Sequence, residues 1–145
     1  MTYSPAFKAF IAASNALNEA DQIRMEAVEL AQKDKTPEGR KKAGKRYEDA
    51  VKKSPAKERV RYNLAWAYHR NGELDKAVEE YKADLLLAPD KDKAHYNLGL
   101  IYQSRGKKDE AERHFLEALR IKPEPVAYYN LAMLYHSSGE IDKAI

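Results

Sequence analysis

The sequence predicts an all-α chain of antiparallel helix pairs stacked one on the next, and three observations predict it. The first is recurrence: YNLAWAYHRNGELDKAVEEY begins at Tyr62, YNLGLIYQSRGKKDEAERHF at Tyr96 and YNLAMLYHSSGEIDKAI at Tyr129, offsets of 34 and 33 residues. Self-similarity at such a period marks an array of small supersecondary units, none of which buries its apolar face alone. The second is the period inside each copy. Leu64, Ala65 and Tyr68 share one helix face, as do Leu98, Gly99 and Tyr102, and Leu131, Ala132 and Tyr135. The third is punctuation. Gly72, Gly106 and Gly139 stand where a positive φ ends a helix, and Asp75, Asp109 and Asp142 stand where a carboxylate suits the free N–H groups of the next. Pro89 and Pro123 then block continuation.

From the N-terminus, residues 4–18 read as a helix with Phe7, Phe10, Ile11 and Leu17 on its apolar side. Both a capping helix and a helix that runs on into the next fit this pattern. Met25, Val28 and Leu30 mark further helix, and Ala43, Tyr47, Ala50 and Pro55 stand 34 residues before Ala77, Tyr81, Asp84 and Pro89, placing a second helix over about 38–53. This first repeat is divergent: Leu30, Ala31 and Asp34 replace the Leu, small and Tyr residues, and Thr36-Pro37-Glu38-Gly39 replaces the single turn glycine. The expected organisation is therefore an N-terminal helical segment with a divergent repeat over 1–57, repeats over 58–91 and 92–124, and a truncated repeat over 125–145, all in one continuous solenoid.

Two irregularities stand out. Asp84 occupies the place of the small residues Ala50 and Ala118, so it must reach solvent or a cation, because an unpaired buried carboxylate is costly. The last repeat stops a few residues into its second helix, which predicts exposure of Leu131, Leu134 and Tyr135. Either the sequence is cut from a longer protein or another molecule, such as a second copy, covers that edge.

Residues 58–145 closely resemble the tetratricopeptide repeat family on these motifs. The resemblance implies a right-handed superhelix in which the first helix of each pair lines a concave groove that receives a peptide or protein segment. It further implies that the groove stripe comprises Arg59, Tyr62, Asn63, Trp66, His69 and Arg70; then Lys93, Tyr96, Asn97, Leu100, Gln103 and Ser104; then Val126, Tyr129, Asn130, Met133, His136 and Ser137. Asn63, Asn97 and Asn130 form an amide ladder able to pair with an extended backbone, although these asparagines and tyrosines also suit a role in the fold. Trp66, Leu100 and Met133 supply an apolar floor. Arg59, Arg70 and Lys93 favour a ligand with acidic residues. Some family members hold chaperone C-termini with a two-carboxylate clamp. Only Asn63 and Lys93 match that set here, while Val28, Gln32 and Asn97 replace other members, so chaperone-tail binding is not expected.

Composition narrows the chemistry. The chain has 145 residues, 43% hydrophobic and 34% charged, which is globular and too polar for a transmembrane helix. No cysteine is present, which removes disulfides and thiolate sites and fits a cytoplasmic location. Residues 1–57 carry twelve Lys/Arg against eight Asp/Glu, centred on Arg40, Lys41, Lys42, Lys45 and Arg46. That run is either the wet face of a helix or a polyanion contact; nucleic-acid binding is disfavoured, since clustered stacking aromatics are missing. His69 and His136 take equivalent places on first helices, which would bring them near one another. They lack a cysteine or a histidine at i+4, so no metal is expected. No phosphate loop, nucleophile elbow or dinucleotide fingerprint occurs. The expectation is a non-enzymatic, cofactor-free scaffold, with self-association through the C-terminal edge as the alternative.

Overall fold

Local chemistry decides where the first two helices begin. Ser4 accepts a hydrogen bond from the Phe7 amide (3.2 Å) with Pro5 in the first turn, and Thr36 accepts from the Gly39 amide (3.1 Å) ahead of Pro37. The structure, a computed structural model, describes residues 3–140 and Lys143. Its helices are α1 (Pro5–Lys33), α2 (Pro37–Lys53), α3 (Glu58–Arg70), α4 (Leu74–Leu87), α5 (Asp92–Ser104), α6 (Lys108–Ile121) and α7 (Pro125–Ser137), with no strand among the described residues. This is the all-α, helix-pair fold that the periodicity predicts.

The glycine punctuation holds residue by residue. Gly72, Gly106 and Gly139 have φ of 78°, 72° and 78°. At each, the chain hydrogen-bonds back onto the helix just ended: Glu73 N–H to Tyr68 O, Lys107 N–H to Tyr102 O, Glu140 N–H to Tyr135 O. Helices α4 and α6 stop before Pro89 and Pro123.

The chain divides into two compact units, Met1–Ala83 and Asp84–Ile145. In the first, α1 packs on α2 and α2 on α3. Ala27, Ala43, Tyr47, Leu64 and Ala67 form one buried cluster, and Ala20, Ala50 and Val60 another. Arg61 ties α3 to α4 by pairing with Glu80 (2.7 Å) while its guanidinium also donates to the Pro55 carbonyl (2.9 Å). In the second unit α5 packs on α6 and α6 on α7. The small residue at the fourth place of the repeat does what its size allows there. A Cβ on Gly99 would lie 2.6 Å from Phe115 Cε1, so only glycine lets that ring seat against α5.

Four sequence expectations resolve here. The N-terminal segment is one 29-residue helix that continues into the first repeat rather than a separate cap; no Gly or Pro interrupts it before Asp34 closes it. The second helix expected over about 38–53 is α2, Pro37–Lys53, with Thr36 of the turn as its cap. Asp84 is fully buried and meets Lys91 Nζ at 3.2 Å, the cationic partner its burial requires. The predicted exposure of Leu131, Leu134 and Tyr135 is wrong: all three are buried. Helix α7 rests on α6, and Lys143 Nζ lies 5.5 Å from the Tyr135 ring centre. Asp142, expected near the start of a second helix, lies outside the described residues, as does the chain end at Ile145.

Candidate interaction surface

Each first helix turns one side inward and leaves the next stripe partly open. On α3, Leu64, Ala65 and Ala67 are buried, and Tyr68 donates to Glu48 on α2 (2.8 Å). Burial first, and that carboxylate second, push the Tyr68 phenol well up. Tyr135 on α7 makes the same kind of bond to Glu112 on α6. On α3 and α7 the second tyrosine of the motif is thus a strut between a first helix and the second helix before it.

The predicted α3 stripe is partly structural. The Tyr62 ring packs 5.8 Å from that of Tyr81, and His69 meets the same ring edge-on at 6.2 Å. Burial pushes the His69 imidazole down. Asn63 is half-buried, and Arg59 and Arg70 are exposed. Trp66 keeps an exposed face, over which the Arg70 guanidinium sits 4.6 Å from the ring centre. The two line a shallow hollow with Ala31, Ala43, Tyr47 and Asn71.

In the second unit, Tyr96 packs on Phe115 (5.9 Å) and its hydroxyl accepts a hydrogen bond from Asn130 Nδ2 (3.0 Å), which also donates to the Val126 carbonyl (2.8 Å). This joins α5 to α7 across neighbouring repeats. Asn97 and Leu100 are half-buried, and Lys93, Tyr129 and Met133 are exposed. The amide and tyrosine rows therefore brace the fold as well as facing outward, and the most open apolar members are Val126, Tyr129 and Met133.

The basic run is a wet helix face with its own counter-charges. Lys42 pairs with Glu38 (3.3 Å), Arg46 with Glu26 and Asp49, and Arg40 donates to the Lys35 carbonyl (3.3 Å). A histidine pair forms between His95 on α5 and His114 on α6. His95 Nε2 lies 3.3 Å from the Pro89 carbonyl and must donate there, so its Nδ1 accepts from His114 Nδ1 (3.1 Å). Their helices are antiparallel neighbours, a signal that pairing α5 with α6 would have supplied. Tyr128, exposed on α7, was also missed because it lies off the repeat motif. No cluster of three or more metal-ligating side chains occurs among the described residues, and no helix among them is long and apolar enough to cross a membrane.

Helix pairs bonded in this way define a repeat protein whose open stripes lie on its first helices. Family models of the tetratricopeptide repeat match residues 40–86, 67–106, 92–125 and 126–145, and the chain belongs to the tetratricopeptide repeat family. That fold is a general protein–protein interaction module. No curated protein sequence matches the chain. Among solved structures it is similar to the MamA protein, with 25% identity and a TM-score of 0.72 over 86% of this chain and 68% of that one. A MamA RS-1 ArsTM double mutant matches at 17% identity and a TM-score of 0.78, over 88% and 70%. The first TPR of Spaghetti (RPAP3), bound to the HSP90 peptide SRMEEVD, matches at 17% and 0.77, over 84% and 94%. At 17% identity, likeness carries the fold alone.

Proposed function

We propose that this protein is a non-enzymatic interaction scaffold that holds an extended segment of a partner protein against the open stripes of its first helices. The observation that carries this reading is on α5 and α7. Tyr129 and Met133 are exposed large apolar side chains, beside an Asn130 whose amide is held in place by Tyr96. A fixed amide next to open apolar surface suits a polypeptide, which presents alternating backbone polar groups and side chains. The exposed Lys93 at the start of α5 favours acidic residues in that segment. The peptide seen with Spaghetti is acidic, but the two-carboxylate clamp is incomplete here, so SRMEEVD itself is expected to bind poorly.

The test is selection of peptides from a random display library on the full chain, followed by titration of the selected peptide. Tyr129→Ala combined with Met133→Ala should weaken binding at least tenfold and leave the melting temperature unchanged, since both side chains are open. Unchanged affinity would reject this surface. Tyr96→Ala is a poorer probe, because it also removes packing on Phe115.

A further inference from the structure

The first three to four turns of α1 carry a stripe that this protein does not cover. Tyr3 and Phe10 are each 66% exposed, and Phe7, Ile11 and Leu17 each 42%. The segment is not frayed chain. Ser4 caps it, Pro5 opens it, and Ala6, Ala9, Ala12, Ala13 and Ala16 favour helix throughout. Along α1 the stripe runs on, seven residues at a time, into Val28 and Ala31, which pack on the unit's own core, so only its N-terminal part is left open.

We infer that this stripe is a homodimer seam, on which the same helix of a second copy docks antiparallel. Within α1, Phe7, Phe10, Ser14 and Leu17 are spaced three, four and three residues apart, the spacing of a two-helix seam, and Tyr3, just ahead of the Ser4 cap, sets its ring 4.8 Å from that of Phe7. Antiparallel, with the two-fold axis beside Phe10 and Ile11, Phe7 lies over the partner's small Ser14 and Tyr3 lies over the partner's Leu17. Parallel, Ser14 would face Ser14 across a gap and the largest rings would collide. Charge permits the pairing, because Lys8 is the one ionised side chain between Tyr3 and Asn18, and antiparallel packing sets its two copies on either side of the axis, roughly 8 Å apart along the helices. Area permits it too. The open parts of the five large side chains amount to on the order of 500 Å² a copy, about 1,000 Å² in the pair, which meets the lower limit of a specific interface.

Sedimentation equilibrium of the full chain over a dilution series tests this, together with three variants. A reversible dimer is expected. Phe10→Glu places two like charges at the axis and should raise the dissociation constant roughly a hundredfold, with helical content and melting temperature retained. The chain has no cysteine, so introduced ones report geometry cleanly. Ile11→Cys, beside the axis, should form an intermolecular disulfide on oxidation. Leu17→Cys should not, because the two copies lie roughly 20 Å apart along an antiparallel pair. A monomer at all concentrations, or a dimer indifferent to Phe10→Glu, overturns the inference. So does a Leu17→Cys cross-link as efficient as that of Ile11→Cys, which would mean parallel pairing. A dimer that cross-links at neither position would place some other surface on the stripe and equally overturns it.

Discussion

Asp84 and Lys91 show how much one side chain depends on another. The carboxylate is fully buried where Ala50 and Ala118 stand in the other repeats, and it meets the ammonium at 3.2 Å. Removing the cation leaves a desolvated charge, whereas removing the carboxylate restores the repeat's usual small residue. Lys91→Ala should therefore destabilise the chain by about 3 kcal/mol, while Asp84→Ala should be close to neutral. Urea unfolding of both variants and the double variant decides it; equal losses would mean that the pair is ordinary surface electrostatics. That Asp84 needed a cation was legible in the sequence. The identity of Lys91 was not, because it lies on the far side of the Pro89 turn. In the sequence Tyr96 and Asn130 read as ligand contacts, and no local pattern reveals their bond to each other, because it joins different helices.

Among the elements, what the sequence disclosed follows how local each signal is. Helix ends at Gly72, Gly106 and Gly139 were legible because a positive φ is a property of one residue. The sequence leaves the continuity of α1 open, although no Gly or Pro falls between Ala6 and Lys33 to stop it. The burial of Leu131, Leu134 and Tyr135 is not legible in the sequence, because it depends on packing between elements, α7 on α6 among them. Packing between elements has one sharp test. Gly99→Ala puts a methyl into the Phe115 ring, and overpacking of a fully buried contact typically costs about 1–3 kcal/mol. The expected result is a lower melting temperature, partly restored by Phe115→Leu. Ala65 and Ala132 hold the equivalent places and do so without glycine, so the tightness is particular to α5.

At the scale of the molecule, acid should act in two steps. Burial pushes His69 below its ordinary value, so the folded state binds its proton less readily than the unfolded chain does. Stability then falls as pH drops through about 6.5, and His69→Gln should abolish that first step. The second step comes from carboxylates held low by cations, Asp21 by Lys57 and Glu140 by Lys108. Their folded values are depressed, so their contribution is full above the ordinary carboxylate range and is lost as pH falls through it. Melting temperatures measured from pH 8 to pH 3 check both, and a flat profile down to pH 5 would remove the His69 step. The length of α1 has a kinetic consequence. Its residues beyond Ala20 are locked by tertiary packing, while those before Leu17 are held by little more than the helix itself. Amide hydrogen exchange along this single helix should therefore run as a gradient, with rates set by local opening at one end and by unfolding of the unit at the other. The fast end gives a built-in gauge: whatever comes to rest on it will slow exchange there and leave the rest of the helix unchanged.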